Sequence, residues 1–338
     1  MTASDDPALS EVLCGRLTGL SAPGRWSVAA VAVAGERTGW WFSDATSSSA
    51  FHIGSVTKTV TALTLAVASL GGRVALDDRL DAYLVAAAGT RVRLVDLATH
   101  TSGYPKLPRE LVVRSLRSPR DPYSCITDRS VDRALARCTR RHPGVGGKYV
   151  YSNFGYGVLG RALAVASRDS FFDLARAEVL EPLGLRETTQ DLDPGPDRVA
   201  GHDASRRVVP DWHNAALAGC GCLWSTIGDV HRYLVANLHP DRTPIAGALR
   251  LVHTPRVAAG PRLEVGLGWH ISATERGAVH WHNGGTSGFG SFVGFDPVAQ
   301  VGVAVLMSRA HADDLDRVAM RVLADLDVRG DHSGRLAP

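Results

Sequence analysis

Lysine is scarce in this 338-residue chain, which has only Lys58, Lys106 and Lys148 beside 34 arginines. Arginine stays protonated in a protein, whereas a lysine among apolar groups has its pKa lowered and can act as a base. The position of each lysine is therefore informative about candidate proton-transfer groups.

Other features are also missing. The longest uncharged apolar run, 59–70, is too short to cross a bilayer, and the first twenty residues lack the basic start and apolar run of a secretory signal. The five cysteines are an odd number, which favours reduced thiols. The net charge of +3 is small, with basic and acidic residues interspersed. We therefore expect a soluble cytoplasmic protein without a nucleic-acid or membrane partner, and the oligomeric state stays open.

The most informative stretch is 52–72, HIGSVTKTVTALTLAVASLGG. From Ser55 to Gly72 its only charge is Lys58, so it predicts a helix buried on every side. Lys58 follows Ser55 by three positions and shares its face of the helix, so its amine can reach the serine hydroxyl. Ser55 is thus a candidate nucleophile with Lys58 as its base. The plainer alternative is a capping serine beside a lysine at a helix end.

Strand patterns occur at both ends of the chain, and helical patterns dominate between them. We predict an α+β fold: an antiparallel sheet flanked by helices, with a mostly helical inserted subdomain. The α/β sandwich subdomain comprises 1–72 plus 216–328, the helical subdomain 73–215, and the flexible tail 329–338, all in one catalytic domain. The predicted helices are 1–22, 55–70, 75–84, 94–99, 130–140, 156–166, 225–238 and 312–326. The predicted strands are 26–34, 38–42, 265–271, 278–281, 290–295 and 301–307, and 118–123 is expected to be an exposed loop.

A second candidate site is Tyr151-Ser152-Asn153, between a glycine-rich turn at 143–147 and a helix. In an extended segment the tyrosine and the asparagine point the same way. Tyr151 could relay a proton between Ser55 and a leaving group, and Asn153 could hold a substrate amide or carbonyl. A buried tyrosine and a capping asparagine are the alternative.

The third candidate site is WHNGGTSG, 281–288. Glycines at 284 and 285 let a ligand approach a strand closely, and a strand N–H there could share an oxyanion with the N–H of Ser55. His282 would supply a donor at the mouth of the site. The alternative is a histidine in the core or on the surface, next to a bulge.

In this order and at these separations, SVTK (55–58), YSN (151–153) and HNG (282–284) resemble the serine β-lactamase and penicillin-binding-protein superfamily. The resemblance is greatest to its class C β-lactamase-like branch of esterases, D-amino-acid peptidases and acyltransferases. Secondary motifs agree: THTSGYP (99–105), PLGL (182–185), GCGCLWST (219–226) and GLGW (266–269).

The resemblance implies a β-lactamase/transpeptidase-like fold and assigns roles by position. Ser55 is the nucleophile, Lys58 and Tyr151 share the acid and base work, and Asn153, His282 and Gly284 contact the substrate. The backbone N–H groups of Ser55 and Gly285 form the oxyanion hole. His282 stands where β-lactamases have a lysine. This difference argues against a β-lactam carboxylate as the natural ligand.

Gly155 to Gly160 fits the dinucleotide pattern G-x-G-x-x-G but follows no buried strand, so we interpret it as a closely packed helix. We predict no cofactor and no metal, because neither 280–282 nor 220–222 has the ligand spacing of a zinc site.

The sequence therefore predicts a serine hydrolase that acylates Ser55 from a small-molecule ester, amide or peptide. An acyltransferase to an alcohol or amine is the alternative, and a sensor without turnover is a third possibility.

Overall fold

The computed structural model describes residues 5–21, 24–141, 147–190, 197–275, 277–310 and 314–326. These residues form an eight-stranded sheet with helices on both faces, a separate pair of short strands, and a mainly helical stretch between the sequence regions that supply the main sheet. All strand pairs are antiparallel. The predicted α+β fold class is confirmed.

The first and last strands pair in the interior of the main sheet, which runs in the order β2-β1-β10-β9-β8-β7-β6-β5, while β3 pairs with β4. Val28 lies opposite Met307, so the N-terminal hairpin joins the C-terminal strands. The strands are β1 (Val28–Ala34), β2 (Arg37–Ser43), β3 (Ala50–His52), β4 (Trp224–Thr226), β5 (Val257–Gly260), β6 (Leu263–Val265), β7 (His270–Ala273), β8 (Ala278–Gly285), β9 (Gly290–Asp296) and β10 (Val301–Met307).

Helices cover both faces of the sheet. The helices are α1 (Pro7–Leu17), α2 (Thr57–Leu70), α3 (Leu94–Ala98), α4 (Arg109–Ser115), α5 (Asp128–Arg141), α6 (Asn153–Ser167), α7 (Phe171–Ala175), α8 (Ile227–Leu238), α9 (Ala246–His253) and α10 (Leu315–Asp325).

Two apolar clusters, one on each face, explain why every residue of β1 is buried. On one face Leu13 of α1 and Val322 of α10 pack with alternate β1 residues such as Ala30. On the other face α2 and α8 pack, and eleven of the fourteen residues of α2 are buried. The prediction of a helix buried on every side is therefore correct.

Two predicted elements differ from the structure. Residues 75–84 form turns and a short 3-10 helix, Leu80–Ala82, because the N–H of Ala75 bonds to the Asp78 carboxylate and that of Leu80 bonds to the carbonyl of Val92. Residues 265–271 split into β6 and β7. Gly268 lies between them at φ 75° and packs so closely on α2 that a Cβ would lie 2.8 Å from that of Ala62.

The segment 118–123, expected to be an exposed loop, contains the buried side chains of Asp121 and Tyr123. The short elements β3, β4, β5, α4, α7 and α9 were not predicted. The turn at 143–147 lies outside the described residues except for Gly147, and so does the tail at 329–338. The division into two subdomains stays a prediction. No helix in the described ranges has both the length and the apolar character to cross a membrane.

Candidate active site

Ser55 lies in a single 3-10 turn, Gly54–Val56, that connects β3 to the start of α2. Gly54 has φ 50°, and a Cβ on it would lie 2.8 Å from the backbone nitrogen of Gly285. Only glycine fits this close approach without strain. The turn leaves Ser55 partly exposed at the end of a buried helix, where the helix dipole is positive.

Lys58 lies directly beneath Ser55. Its Nζ is 2.8 Å from Ser55 Oγ and donates a 2.6 Å hydrogen bond to the carbonyl of Cys220. The lysine side chain has no exposed surface. Because the amine contacts both Ser55 Oγ and the Cys220 carbonyl, the predicted serine–lysine pair is anchored by two contacts.

Tyr151 is held beside this pair by the residue that follows it. Ser152 caps α6 by accepting a bond from the N–H of Gly155, and its hydroxyl donates to the carbonyl of Pro105. Its own N–H donates to Nδ1 of His100 at 3.0 Å. These bonds place the Tyr151 ring centroid 5.0 Å from Lys58 Nζ.

Asn153, the first residue of α6, is fixed by a tyrosine that the sequence interpretation did not single out. Its Nδ2 donates to the Tyr123 hydroxyl at 3.0 Å, and its Oδ1 is buried without a hydrogen-bond partner in the described chain. Both side chains line the cavity that contains Ser55. The amide oxygen of Asn153 is therefore a buried acceptor with unused hydrogen-bonding capacity next to this cavity.

Gly284 brings the end of β8 against the Ser55 turn. A Cβ on Gly284 would lie 2.1 Å from the carbonyl oxygen of Ile53 and 3.0 Å from the nitrogen of Ser55. The backbone of β8 therefore lies so close to the backbone at Ser55 that no side chain fits between them. Gly285, the next residue of β8, also lines the cavity. The structure thus brings the predicted Gly284 and Gly285 next to the turn that contains Ser55.

His282 lies deeper than expected. We predicted a donor at the mouth of the site, but its side chain is 1% exposed and its ring centroid is 6.3 Å from that of Tyr151. Its Nδ1 donates to the carbonyl of Asn283 at 2.6 Å. The next side chain, Asn283, lines the cavity instead and donates to Asp316 at 2.5 Å. Alternation along the strand puts the histidine inside and the asparagine outside.

Three buried histidines surround Tyr151, with ring centroids 4.5 Å (His100), 6.5 Å (His270) and 6.3 Å (His282) from its own. Burial, reinforced by the nearby Lys58 charge, lowers the pKa of His270 to about 4. Burial likewise holds the pKa values of the other two well below 6.5. The three rings are neutral at neutral pH, so they add polarity around Tyr151 without adding charge.

Sequence reasoning did not single out His100 or His270. His100 lies in the THTSGYP motif, which was a signal for it, but nothing in the sequence pointed to His270. Its contact with Tyr149, a 2.8 Å hydrogen bond, joins residues more than a hundred positions apart.

The cavity in front of Ser55 has a volume of about 740 Å³, within the usual range of small-molecule sites. Its charged lining residues in the described chain are Lys106 and Asp316, and none is an arginine. Apolar and amide groups form most of the remaining wall. We call this space the active-site cavity.

Comparisons with known proteins agree with this geometry. A family model described as "Beta-lactamase" matches residues 19–327. The D-alanyl-D-alanine-carboxypeptidase/endopeptidase AmpH of Escherichia coli (strain K12) is 29% identical over 283 residues, covering 78% of this chain and 71% of that protein. A β-lactamase of Pseudomonas fluorescens is 25% identical over 324 residues, covering 83% of this chain and 86% of its own.

Among solved structures, a class C β-lactamase superposes with a TM-score of 0.82 at 18% identity, covering 98% of this chain and 99% of that one. Fold and comparisons together define a β-lactamase-like serine hydrolase. The chain belongs to the β-lactamase family, and its fold is that of the class C branch.

Proposed function

We propose that the protein hydrolyses a small ester or amide through an acyl-enzyme on Ser55. The observation that carries this proposal is the 2.8 Å contact between Lys58 Nζ and Ser55 Oγ, made by a fully buried lysine to a serine that lines a cavity. A serine that contacts a buried amine, and has substrate space in front of it, has what nucleophilic catalysis requires.

In the proposed reaction Ser55 Oγ attacks the substrate carbonyl carbon while its proton passes to the amine of Lys58, directly or through Tyr151. The tetrahedral intermediate collapses when the leaving group departs with a proton from Tyr151, which Lys58 replaces. Water then attacks the acyl carbon and gives its proton to the Lys58–Tyr151 pair, which returns a proton to Ser55 Oγ as the acyl bond breaks. The acid product leaves, and the Ser55 hydroxyl regains its proton.

The N–H groups of Ser55 and Gly285 would stabilise the negative oxygen of each tetrahedral intermediate. Support comes from the contact that Gly284 makes with the Ser55 turn, since it leaves no room for a side chain between the two backbones. The start of α2 adds a positive dipole at the same point.

We expect the preferred substrate to lack a free carboxylate next to the scissile bond. His282 is neutral and buried, so it offers no cation there, and Asp316 adds a negative charge to the wall near Asn283. The unpaired Oδ1 of Asn153 suits an N–H on the acyl part of the substrate. Amides remain within the proposal, because the relative AmpH is a D-alanyl-D-alanine carboxypeptidase by name.

The test is intact mass spectrometry and absorbance with p-nitrophenyl esters, a D-alanyl-D-alanine peptide and a β-lactam, each with wild type and Ser55→Ala. We expect a Ser55-dependent acyl adduct and steady turnover that is fastest with the esters. If wild type and Ser55→Ala release product equally, the proposal is wrong.

The same assay with an added alcohol or amine examines acyl transfer, which we keep as the alternative function. A transferred product that exceeds the hydrolysed acid would favour a transferase. An adduct that forms once and never turns over would favour a sensor.

The expected cytoplasmic location stays a prediction.

A further inference from the structure

A second cavity, of about 540 Å³, lies between α4 and α5, away from Ser55. Five arginines line it together with one carboxylate and one valine, and we call it the arginine cavity. Its lining residues are Arg109, Glu110, Val113, Arg114, Arg117, Arg137 and Arg141.

Positive charge is concentrated in the two segments that build this cavity. Residues 106–120 and 133–141 contain nine lysines and arginines but a single acidic residue, Glu110. The whole chain has a net charge of only +3, so the rest of the molecule is net negative. The small total charge conceals this patch, which is why composition gave no sign of an anionic partner.

The arginines of the cavity are largely uncompensated. Glu110 is 3.3 Å from Arg137, and the other four make no ion pair with a carboxylate of the described residues. Like charges so close together repel one another, and a bound anion relieves that repulsion. Other surface arginines do have a carboxylate partner, as Arg242 has in Glu36 and Arg73 has in Glu178.

We propose that the arginine cavity binds a phosphate-bearing ligand. Guanidinium groups present planar pairs of donors that match phosphate oxygens, and here they converge from two helices on one concave space. Val113, which is 57% exposed, adds an apolar contact for the part of the ligand next to the phosphate. The ligand is a soluble phosphate ester or the headgroup of a phospholipid, since both carry the same group.

The location connects this site with the active site through α4. Val112 and Ser115 line the active-site cavity, whereas Arg109, Val113 and Arg114 line the arginine cavity. At 100° per residue the two sets lie on opposite faces of the helix. A ligand in the arginine cavity therefore stabilises a helix that forms part of the active-site wall. The binding itself does not depend on acylation of Ser55.

The test is isothermal titration of the full chain with inorganic pyrophosphate at constant ionic strength. In parallel, the chain is co-sedimented with phosphatidylcholine vesicles with and without phosphatidylglycerol. We expect saturable binding in at least one arm. Pyrophosphate binding indicates a soluble ligand, and binding confined to the anionic vesicles indicates a lipid headgroup.

Arg114→Gln/Arg141→Gln should weaken this binding by ~10-fold or more, because two charge-assisted contacts are lost. The matched control is Arg256→Gln/Arg262→Gln, which removes the same charge from exposed positions outside both cavities. Arg117→Gln, beyond the end of α4, should have a smaller effect and serves if the double variant does not fold.

Three outcomes would overturn the proposal. One is the absence of saturable binding in both arms, and another is an equal loss of affinity in the control. The third is tighter binding of duplex DNA than of either probe, since that would indicate a general polyanion surface instead.

Discussion

The active-site cavity and the arginine cavity lie on opposite faces of α4. They differ in where their key basic side chains lie: Lys58 is buried in the first, and the arginines are on the surface in the second. The first has a buried lysine beneath its serine, neutral histidines next to its tyrosine and no arginine in its described lining. The second has five arginines open to solvent. A group that must gain and lose a proton is buried, whereas groups that stay charged remain hydrated.

Physical chemistry accounts for the difference. Burial penalises a charge, and a lysine can respond by releasing its proton, whereas an arginine cannot. In a chain with 34 arginines and three lysines, a lysine at position 58 is therefore the choice that permits proton transfer. The arginine cavity offers permanent charge, which suits binding and not acid–base chemistry.

Replacing the buried lysine by a permanently charged residue would test the comparison most severely. Lys58→Arg should lower kcat/KM for an ester substrate by ~10²-fold or more, because a guanidinium cannot accept the Ser55 proton. Steady-state kinetics measure the change. Arg256→Lys, at an exposed position outside both cavities, is the control and should be nearly silent. Retention of wild-type turnover by Lys58→Arg would exclude Lys58 as the base.

Gly284→Ala should have the next largest effect, because the added Cβ would overlap the carbonyl oxygen of Ile53 and crowd the nitrogen of Ser55. We expect ~1–3 kcal/mol lower free energy of unfolding, as for an overpacked core, together with slower acylation. Urea unfolding and acylation kinetics check both. Gly285→Ala is the matched control for stability, since a Cβ there would have no atom within 4 Å. Equal destabilisation by the two substitutions would contradict the predicted close contact.

The neutral histidines predict a pH dependence. Because burial lowers the folded-state pKa of His270 from 6.5 to about 4, the unfolded chain takes up a proton first as the pH falls. The stabilisation is complete above pH 6.5 and is lost progressively towards pH 4, by ~1.4 kcal/mol per pH unit.

His270→Gln should therefore flatten the decline in unfolding free energy between neutral and mildly acidic pH, as measured by urea titration at several pH values. Arg114→Gln in the arginine cavity should leave that decline unchanged, because arginine does not titrate in this range. If His270→Gln and wild type lose stability in parallel, His270 is not neutral in the folded protein.

The smallest expected effect is that of Tyr123→Phe, which removes the hydroxyl that accepts the Asn153 amide hydrogen. Loss of one hydrogen bond should raise KM for an amide-containing acyl group by ~2- to 10-fold. An ester whose acyl group has no N–H should be affected less. A similar change in KM for both substrates would show that Tyr123 does not orient Asn153 towards the substrate.

Much of the fold could be predicted from local patterns, because apolar alternation defines β1 and β10 and an apolar run defines α2. The helix predicted at 225–238 is present as α8, and the Thr226 hydroxyl caps it by accepting a bond from the N–H of Asp229. Patterns failed at 75–84, where distant backbone partners replaced helical ones. They also missed short elements such as α4, whose seven residues carry little periodic signal.

By itself the sequence determined the pairing of Ser55 with Lys58, because a spacing of three on one helix fixes which side chains can meet. It also determined the candidate positions of Tyr151 and Asn153, through a motif. Only the tertiary structure decided that His282 is buried, that Tyr123 holds Asn153, and that five arginines converge beside α4. Those relations join residues far apart in the chain, and packing between elements sets them, so local spacing could not reveal them.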